Sequence, residues 1–286
     1  MRHLVKRNLL VFFRDKAGVF FSLLSVLIVI GLYLLFLGDV MKSNFEGIEE
    51  AGTLIDSWLM AGVIAIAPIT TGISALSSMV EDRKLKIDKD FFASPIKRSS
   101  LAGSYILSSF VISLLLTLIT LVFAEAYIVL NGGELLSWTA IAQVLGIIIL
   151  YDFFSVFVLY YFVSFFKSSN AFSAAATIIG TLIGFLTGIY IPIGSLPEAV
   201  QMIVKIFPPS HAAVMLREIM MGPSEQIVFD GAPASSIEEF RLAMGSLFEI
   251  GDFVVQWWHS LLYLFIIGII FFALSLWKMS KKRGAV

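Results

Sequence analysis

Few side chains in this 286-residue sequence could do covalent chemistry, and none are spaced for it. There is no cysteine, so a catalytic thiol, thiolate metal ligands and disulfides are all excluded. The three histidines, His3, His211 and His259, lie far apart on different sides of the apolar blocks described below, and no H-E-x-x-H is present. No G-x-x-x-x-G-K-[ST] loop occurs, so the chain lacks the usual cradle for the phosphates of ATP. Glu49 and Glu50 sit side by side with no arginine or histidine nearby to complete an acid–base pair. The expectation is a non-enzyme, with no catalytic residue, no metal ligand and no cofactor of its own.

The remaining polar residues of note sit inside apolar runs. Asp152 is deep in one, where a carboxylate costs about 2.5–3.5 kcal/mol on insertion scales and so must face protein or water. It either borders a substrate path or hydrogen-bonds to a neighbouring helix, and the second reading is preferred. Glu125 is nearer the end of its run and can snorkel to an interface. Thr70, Thr71, Ser74, Ser77 and Ser78 make a hydroxyl stripe that bonds across helices or lines a hydrated path. Gly180, Gly184 and Gly188 recur at every fourth position after Ala174, Ala175, Ala176 and Thr177. Such a face lets another helix approach closely, from the same chain or a second one.

What positions these residues is a membrane. The chain is 58% hydrophobic and 14% charged, whereas soluble domains carry roughly 25% charged residues. A bilayer core of about 30 Å needs about 20 apolar helical residues. Six stretches reach that length: Ala17–Gly38, Ser57–Val80, Leu101–Leu130, Thr139–Phe166, Ala171–Ile191 and Trp257–Trp277. The fold class expected is an all-α integral membrane protein with six transmembrane helices.

Charge asymmetry threads them. Arg2, Lys6, Arg7, Arg14 and Lys16 precede the first span; Arg83, Lys84, Lys86, Lys89, Lys97 and Arg98 follow the second. Lys167 follows the fourth, and Lys278, Lys281, Lys282 and Arg283 follow the sixth. The first odd-numbered loop is acidic, with Asp39, Glu46, Glu49, Glu50 and Asp56 against Lys42, and the second has only Glu134. Lysine and arginine favour the cytoplasmic side, so both termini are expected inside the cell membrane. Trp58, Trp138, Trp257, Trp258 and Trp277 fall at span ends, as interfacial anchors would.

Two pieces do not span. Met1–Lys16 alternates basic and apolar residues and reads as a helix lying in the interface. It is no cleavable signal, because the apolar run after it is too long and lacks a small-x-small site. Pro192–Gln256 reads first as short helices dipping into the outer leaflet, then, over Gly222–Asp252, as an acidic extracellular cap. The loop 81–99 mixes Glu81, Asp82, Arg83, Lys84, Lys86, Asp88, Lys89 and Asp90 with Phe91, Phe92 and Pro95. Topology alone requires only lysine and arginine. Mixed charge with two exposed aromatics reads as a docking element, the alternative being a solvated positive-inside loop.

This order of parts resembles the type-2 ABC exporter permeases over nearly the whole chain. The specific places are Glu81-Asp82-Arg83 running on to Phe92-Ala93-Ser94-Pro95-Ile96-Lys97-Arg98, and Leu196-Pro197 through Phe207-Pro208-Pro209-Ser210-His211 to Leu216-Arg217-Glu218 and Gly222. The resemblance implies that residues 1–16 form a connecting helix and residues 17–286 the permease domain. It implies that Glu81, Asp82, Arg83, Asp88, Asp90, Phe91, Phe92 and Pro95 couple the chain to a soluble ATPase subunit, which binds ATP and magnesium. Thr70, Thr71, Ser74, Gly180, Gly184, Thr187 and Gly188 would line a dimer interface and substrate path. Pro197, Pro208, Arg217 and Glu218 would belong to outer re-entrant helices within residues 192–256. Lys86 stands where many relatives have glycine. The outer cap is longer than in polysaccharide exporters, which points to the drug, antibiotic, lipid or peptide branch. The function implied is export of an amphiphilic substrate by a homodimer or paralogue heterodimer in contact with membrane lipid, with no nucleic acid. The alternatives are a non-transporting sensor or scaffold using the cap, or a lipid-linked polysaccharide exporter.

Overall fold

The computed structural model describes residues 1–38, 41 and 50–281, and within them all side chains but those of Ser25, Phe36, Leu37, Phe92, Met279, Ser280 and Lys281. Asp39, Lys42, Glu46, Glu49, Lys282 and Arg283 lie outside the described residues.

Helix α1 (Arg2–Arg14) buries Asn8 and Phe12 and leaves Arg2, Lys6 and Arg14 exposed. It stops at Asp15, whose carboxylate accepts the Gly18 N–H at 2.9 Å and so caps α2 (Lys16–Leu32). A π-helical turn, Tyr33–Leu37, continues α2. Helix α3 (Ala51–Lys84) follows and is about 51 Å long at 1.5 Å per residue. A seven-residue helix, α4 (Ile87–Ala93), separates it from α5 (Arg98–Leu130), α6 (Trp138–Val163) and α7 (Ser169–Leu186). Then come a 3-10 turn (Ile193–Ser195), α8 (Glu198–Ile206), α9 (Pro208–Val228) and α10 (Ala234–Met244). Strands β1 (Phe248–Ile250) and β2 (Phe253–Val255) pair antiparallel, with Phe248 opposite Val255, before α11 (Trp257–Lys281).

Among the described residues, α3, α5, α6, α7 and α11 are long and apolar enough to cross a membrane. Two bent pairs, within Lys16–Leu35 and Glu198–Val228, raise the number to at most seven. The six expected spans fall inside that range. Large apolar side chains such as Val122, Phe123, Ile178, Leu182, Phe265 and Ile269 face outward. That surface suits lipid rather than water, and the chain is a multi-pass membrane protein.

Helix α3 is the axis of the fold. Of its apolar stretch 94% is buried, against 17% for α7. It packs on α2, α5, α6, α7 and α9. The cap and the mixed-charge loop sit at its opposite ends, since Trp58 meets Met244 while Asp82 meets Arg7. These residues are about 36 Å apart along one helix, slightly more than a bilayer core.

Several expectations change. Trp58 is no interfacial anchor: it is fully buried, and its indole N–H donates to Met244 O at 2.7 Å. Trp138, Trp257, Trp258 and Trp277 are exposed. The fifth apolar run ends its helix at Leu186, five residues early, because Gly188 takes a φ of +65° and turns the chain. The region expected as short dips and a loose cap is more ordered. Helices α8 and α9 meet at 86°, α9 runs on through Gly222 and Pro223, and a β-hairpin joins the otherwise all-α fold.

Candidate functional site

At one end of α3 three consecutive charged residues each reach a different helix. The Asp82 carboxylate is almost fully buried and takes a two-pronged contact from Arg7 of α1, at 2.5 and 2.6 Å, plus the Tyr105 hydroxyl of α5 at 2.5 Å. Arg83 donates to Ser164 O at 3.2 Å and Phe166 O at 3.1 Å, capping the end of α6. Glu81 accepts from Ser169 Oγ at 3.1 Å, at the start of α7. Helical spacing of about 100° per residue sends neighbours in different directions, which is how one tripeptide clamps α1 with α5, α6 and α7. Arg7 is further tied to Asn8, and Asn8 to Ser108. The hydrogen bond to Asp82 holds the Arg7 guanidinium above its ordinary range, outweighing its partial burial.

Asp82 and Arg83 therefore act inward, where the sequence suggested charges offered to a partner, while Glu81 braces Ser169 and stays half-exposed. The loop beyond them supplies the exposed surface. Lys86 adopts φ +61° and turns α3 into α4. A glycine takes that conformation without strain, so the residue that departs from the family pattern occupies a position whose geometry favours glycine. Asp88 and Asp90 sit in the first turn of α4, where the helix dipole favours acids. Leu85, Lys86, Lys89, Asp90, Ala93 and Pro95 are exposed. Phe91 is half-buried against the core with the Arg7 guanidinium 5.8 Å from its ring centre, so it does not serve as an exposed anchor. The side chain of Phe92 lies outside the described part.

At the other end, Arg217 of α9 is fully buried. Its Nη1 donates to Gly245 O at 3.0 Å, and its Nη2 to Thr187 O at 3.3 Å and Gly188 O at 3.2 Å. The guanidinium lies 4.6 Å from the centre of the Trp58 ring. One side chain thus joins α3, α9, the end of α7 and the turn after α10, using carbonyl dipoles and a π face. Gly62 fits beneath it, since a Cβ there would meet Ile189 at 2.6 Å and Arg217 Nη2 at 3.2 Å. Pro197 and Pro208 start α8 and α9, a position where the missing N–H is harmless. Glu218 is exposed and lines a cleft of about 720 Å³ with Glu225, Asp230, Glu238, Arg241 and Trp257.

The expected path residues are dispersed. Thr70 and Thr71 are buried in the chain's own core, with their hydroxyls returned to Ala67 O. Ser74 is half-exposed. The glycines do not share one open face. Nothing lies within 4 Å of a Cβ at Gly180, Gly184 packs on the Tyr190 ring, and Gly188 lies beyond the helix end. Thr187 is fully buried, and its carbonyl serves Arg217. Asp152 is fully buried and accepts from Ser113 Oγ of α5 at 2.6 Å, the neighbouring-helix role preferred from sequence. Glu125 accepts the Leu136 N–H at 3.2 Å and ties the α5–α6 loop rather than only snorkelling. His211 is a packing residue, bonded to Ser260 at 3.0 Å and Lys205 O at 2.8 Å.

Sequence reasoning missed Arg7 and Tyr105 as partners of Asp82, and Trp58 and Gly245 as partners of Arg217. An arginine inside an otherwise apolar stretch was the available signal for the second set. A family model described as ABC-2 family transporter protein matches residues 40–277. No curated protein matches the chain.

Proposed function

The chain belongs to the ABC-2 transporter family, and from that premise we propose that it is the membrane subunit of an ATP-driven exporter of an amphiphilic substrate, worked by a separate ATPase that binds ATP and magnesium. The observation that carries this reading is the clamp at the charged end of α3. A force delivered to α4 enters the membrane helices through Glu81, Asp82 and Arg83, and each residue passes it to a different helix. Rigid-body movement of packed helices is a common response to such a load. The surface offered to the ATPase is Leu85, Lys86, Lys89, Asp90, Ala93 and Pro95, an apolar and mixed-charge tip. The lysine and arginine bias supports a cytoplasmic place for that tip, on the side where ATP is. The sparsely buried α7, open at Gly180, supports pairing with a second permease chain.

Co-expression with a P-loop ATPase encoded beside this gene tests the reading. Reversing both charges at the tip, Lys89→Glu with Asp90→Lys, should abolish co-purification of the ATPase while leaving the melting temperature of the chain unchanged. Undiminished co-purification would refute the docking assignment. The sensor alternative finds its support in the outer cleft of about 720 Å³, and it predicts that no ATPase co-purifies.

A further inference from the structure

Between Leu54 and Val80 every residue of α3 is buried except three, and all three are serines: Ser74, Ser77 and Ser78. Where α5 and α11 surface, they show lipid-facing side chains such as Val122, Phe123, Phe265 and Ile269. The central helix surfaces with hydroxyls instead, so the space it faces is not built for acyl chains alone. That space is a cleft of about 320 Å³ between the α1–α2 junction, α3 and the first turns of α7. Ser169 and Ser173 add two more hydroxyls, and Phe12 and Phe172 supply apolar walls.

Among the described residues, Asp15 and Glu81 are the charged ones that line it, and no lysine or arginine does. An anionic headgroup would meet two carboxylates there, and the nearby Lys84 is already held by Glu81. An ammonium suits it, because it presents only donors to carboxylate and hydroxyl oxygens. The chain supplies its own example. Lys84 Nζ lies 3.1 and 3.4 Å from the two oxygens of Glu81, while Ser169 holds one of those oxygens in place. The Lys84 pair is exposed, one turn apart on α3, and weak, so an incoming ammonium can replace it. At Asp15 the Gly18 N–H occupies Oδ1, and Oδ2 makes no contact in that cap.

We propose that this cleft is a receiving site for alkylammonium compounds, the ammonium engaging Asp15 and Glu81 amid the serines and the alkyl part lying against Phe12 and Phe172. The inference rests on the transporter reading only in making such a compound the substrate; binding itself does not require it.

The test uses the full chain in phosphatidylcholine nanodiscs with radiolabelled dodecylammonium as probe and dodecyl sulfate as the anion of equal length. Saturable binding of dodecylammonium and none of dodecyl sulfate is expected. The pair Asp15→Asn with Glu81→Gln should weaken binding by about tenfold or more, the size of losing a charge-assisted contact. Ser77→Leu, at an exposed position outside the core, should fill the cleft and abolish binding even if the carboxamide pair fails to fold. Equal affinity in the Ser77→Leu chain, or equal saturable uptake of dodecyl sulfate, would overturn the proposal. Dodecylammonium binding without ATPase co-purification would count against the transporter reading alone. Co-purification without dodecylammonium binding would count against this site alone.

Discussion

Replacing Arg217 by alanine should be the most damaging single change in the half of the molecule around the β-hairpin. The side chain is fully buried, donates to Gly245 O, Thr187 O and Gly188 O at 3.0–3.3 Å, and stacks on Trp58. Its removal leaves three buried carbonyls facing a void, each unmet acceptor costing about 1–3 kcal/mol. The lost π contact adds about 2 kcal/mol. Burial of the guanidinium itself costs several kcal/mol, and that cost disappears with it. The expected net loss is about 3–5 kcal/mol, what remains of the unmet acceptors and the lost π contact once that cost is subtracted. One kcal/mol moves the melting point of a chain this size by about 2–4 °C, so a fall of ~10 °C is expected. Arg217→Lys should fall about half as far, because a point ammonium cannot fork to carbonyls on two separate segments. Thermal unfolding of the detergent-solubilised chain, followed by tryptophan emission, reads both, since Trp58 lies against the missing group. An alanine variant melting within a degree of the wild type would refute this reasoning.

Other changes separate strain from packing and clamp from surface. Lys86→Gly should stabilise by about 0.5 kcal/mol, because relief of a left-handed backbone worth about 1–2 kcal/mol exceeds glycine's entropy cost of about 0.5–1; a melting point below wild type would contradict it. Gly184→Ala should cost about 1–3 kcal/mol by driving a methyl into the Tyr190 ring, whereas Gly180→Ala, with open space around it, should be neutral or better; the same thermal assay compares them. Asp82→Ala should cost about 2–4 kcal/mol, leaving Arg7 without its carboxylate and the buried Tyr105 hydroxyl without its acceptor. Its diagnostic reading is faster amide exchange in α1, the helix that loses its tether.

The spans were legible because length and apolarity are local properties: α5, α6 and α11 begin and end within a few residues of the runs read from sequence. What failed was pairing at a distance. Trp58 has the position of an interfacial anchor, and nothing near it reveals Arg217, 159 places on, or the Met244 carbonyl. Glu81-Asp82-Arg83 reads as a solvent-facing charge run, because the groups that draw it inward, Arg7, Tyr105, Ser164 and Ser169, come from four other segments. The glycine repeat was read at helical spacing although the helix stops at Leu186. One miss had a local signal. Phe248-Glu249-Ile250 and Phe253-Val254-Val255 flank the two-residue turn Gly251-Asp252, a hairpin pattern obscured by the acidity of the cap around it.

The absence of cysteine allows the central claim, an α4 tip beside an intracellular ATPase and a cap outside, to be tested on a clean background. Single substitutions Asp90→Cys and Asp230→Cys would be treated with a membrane-impermeant maleimide in intact cells. The account predicts labelling of the Asp230→Cys chain at once and of the Asp90→Cys chain only after lysis. Labelling of the α4 position in unbroken cells would contradict it.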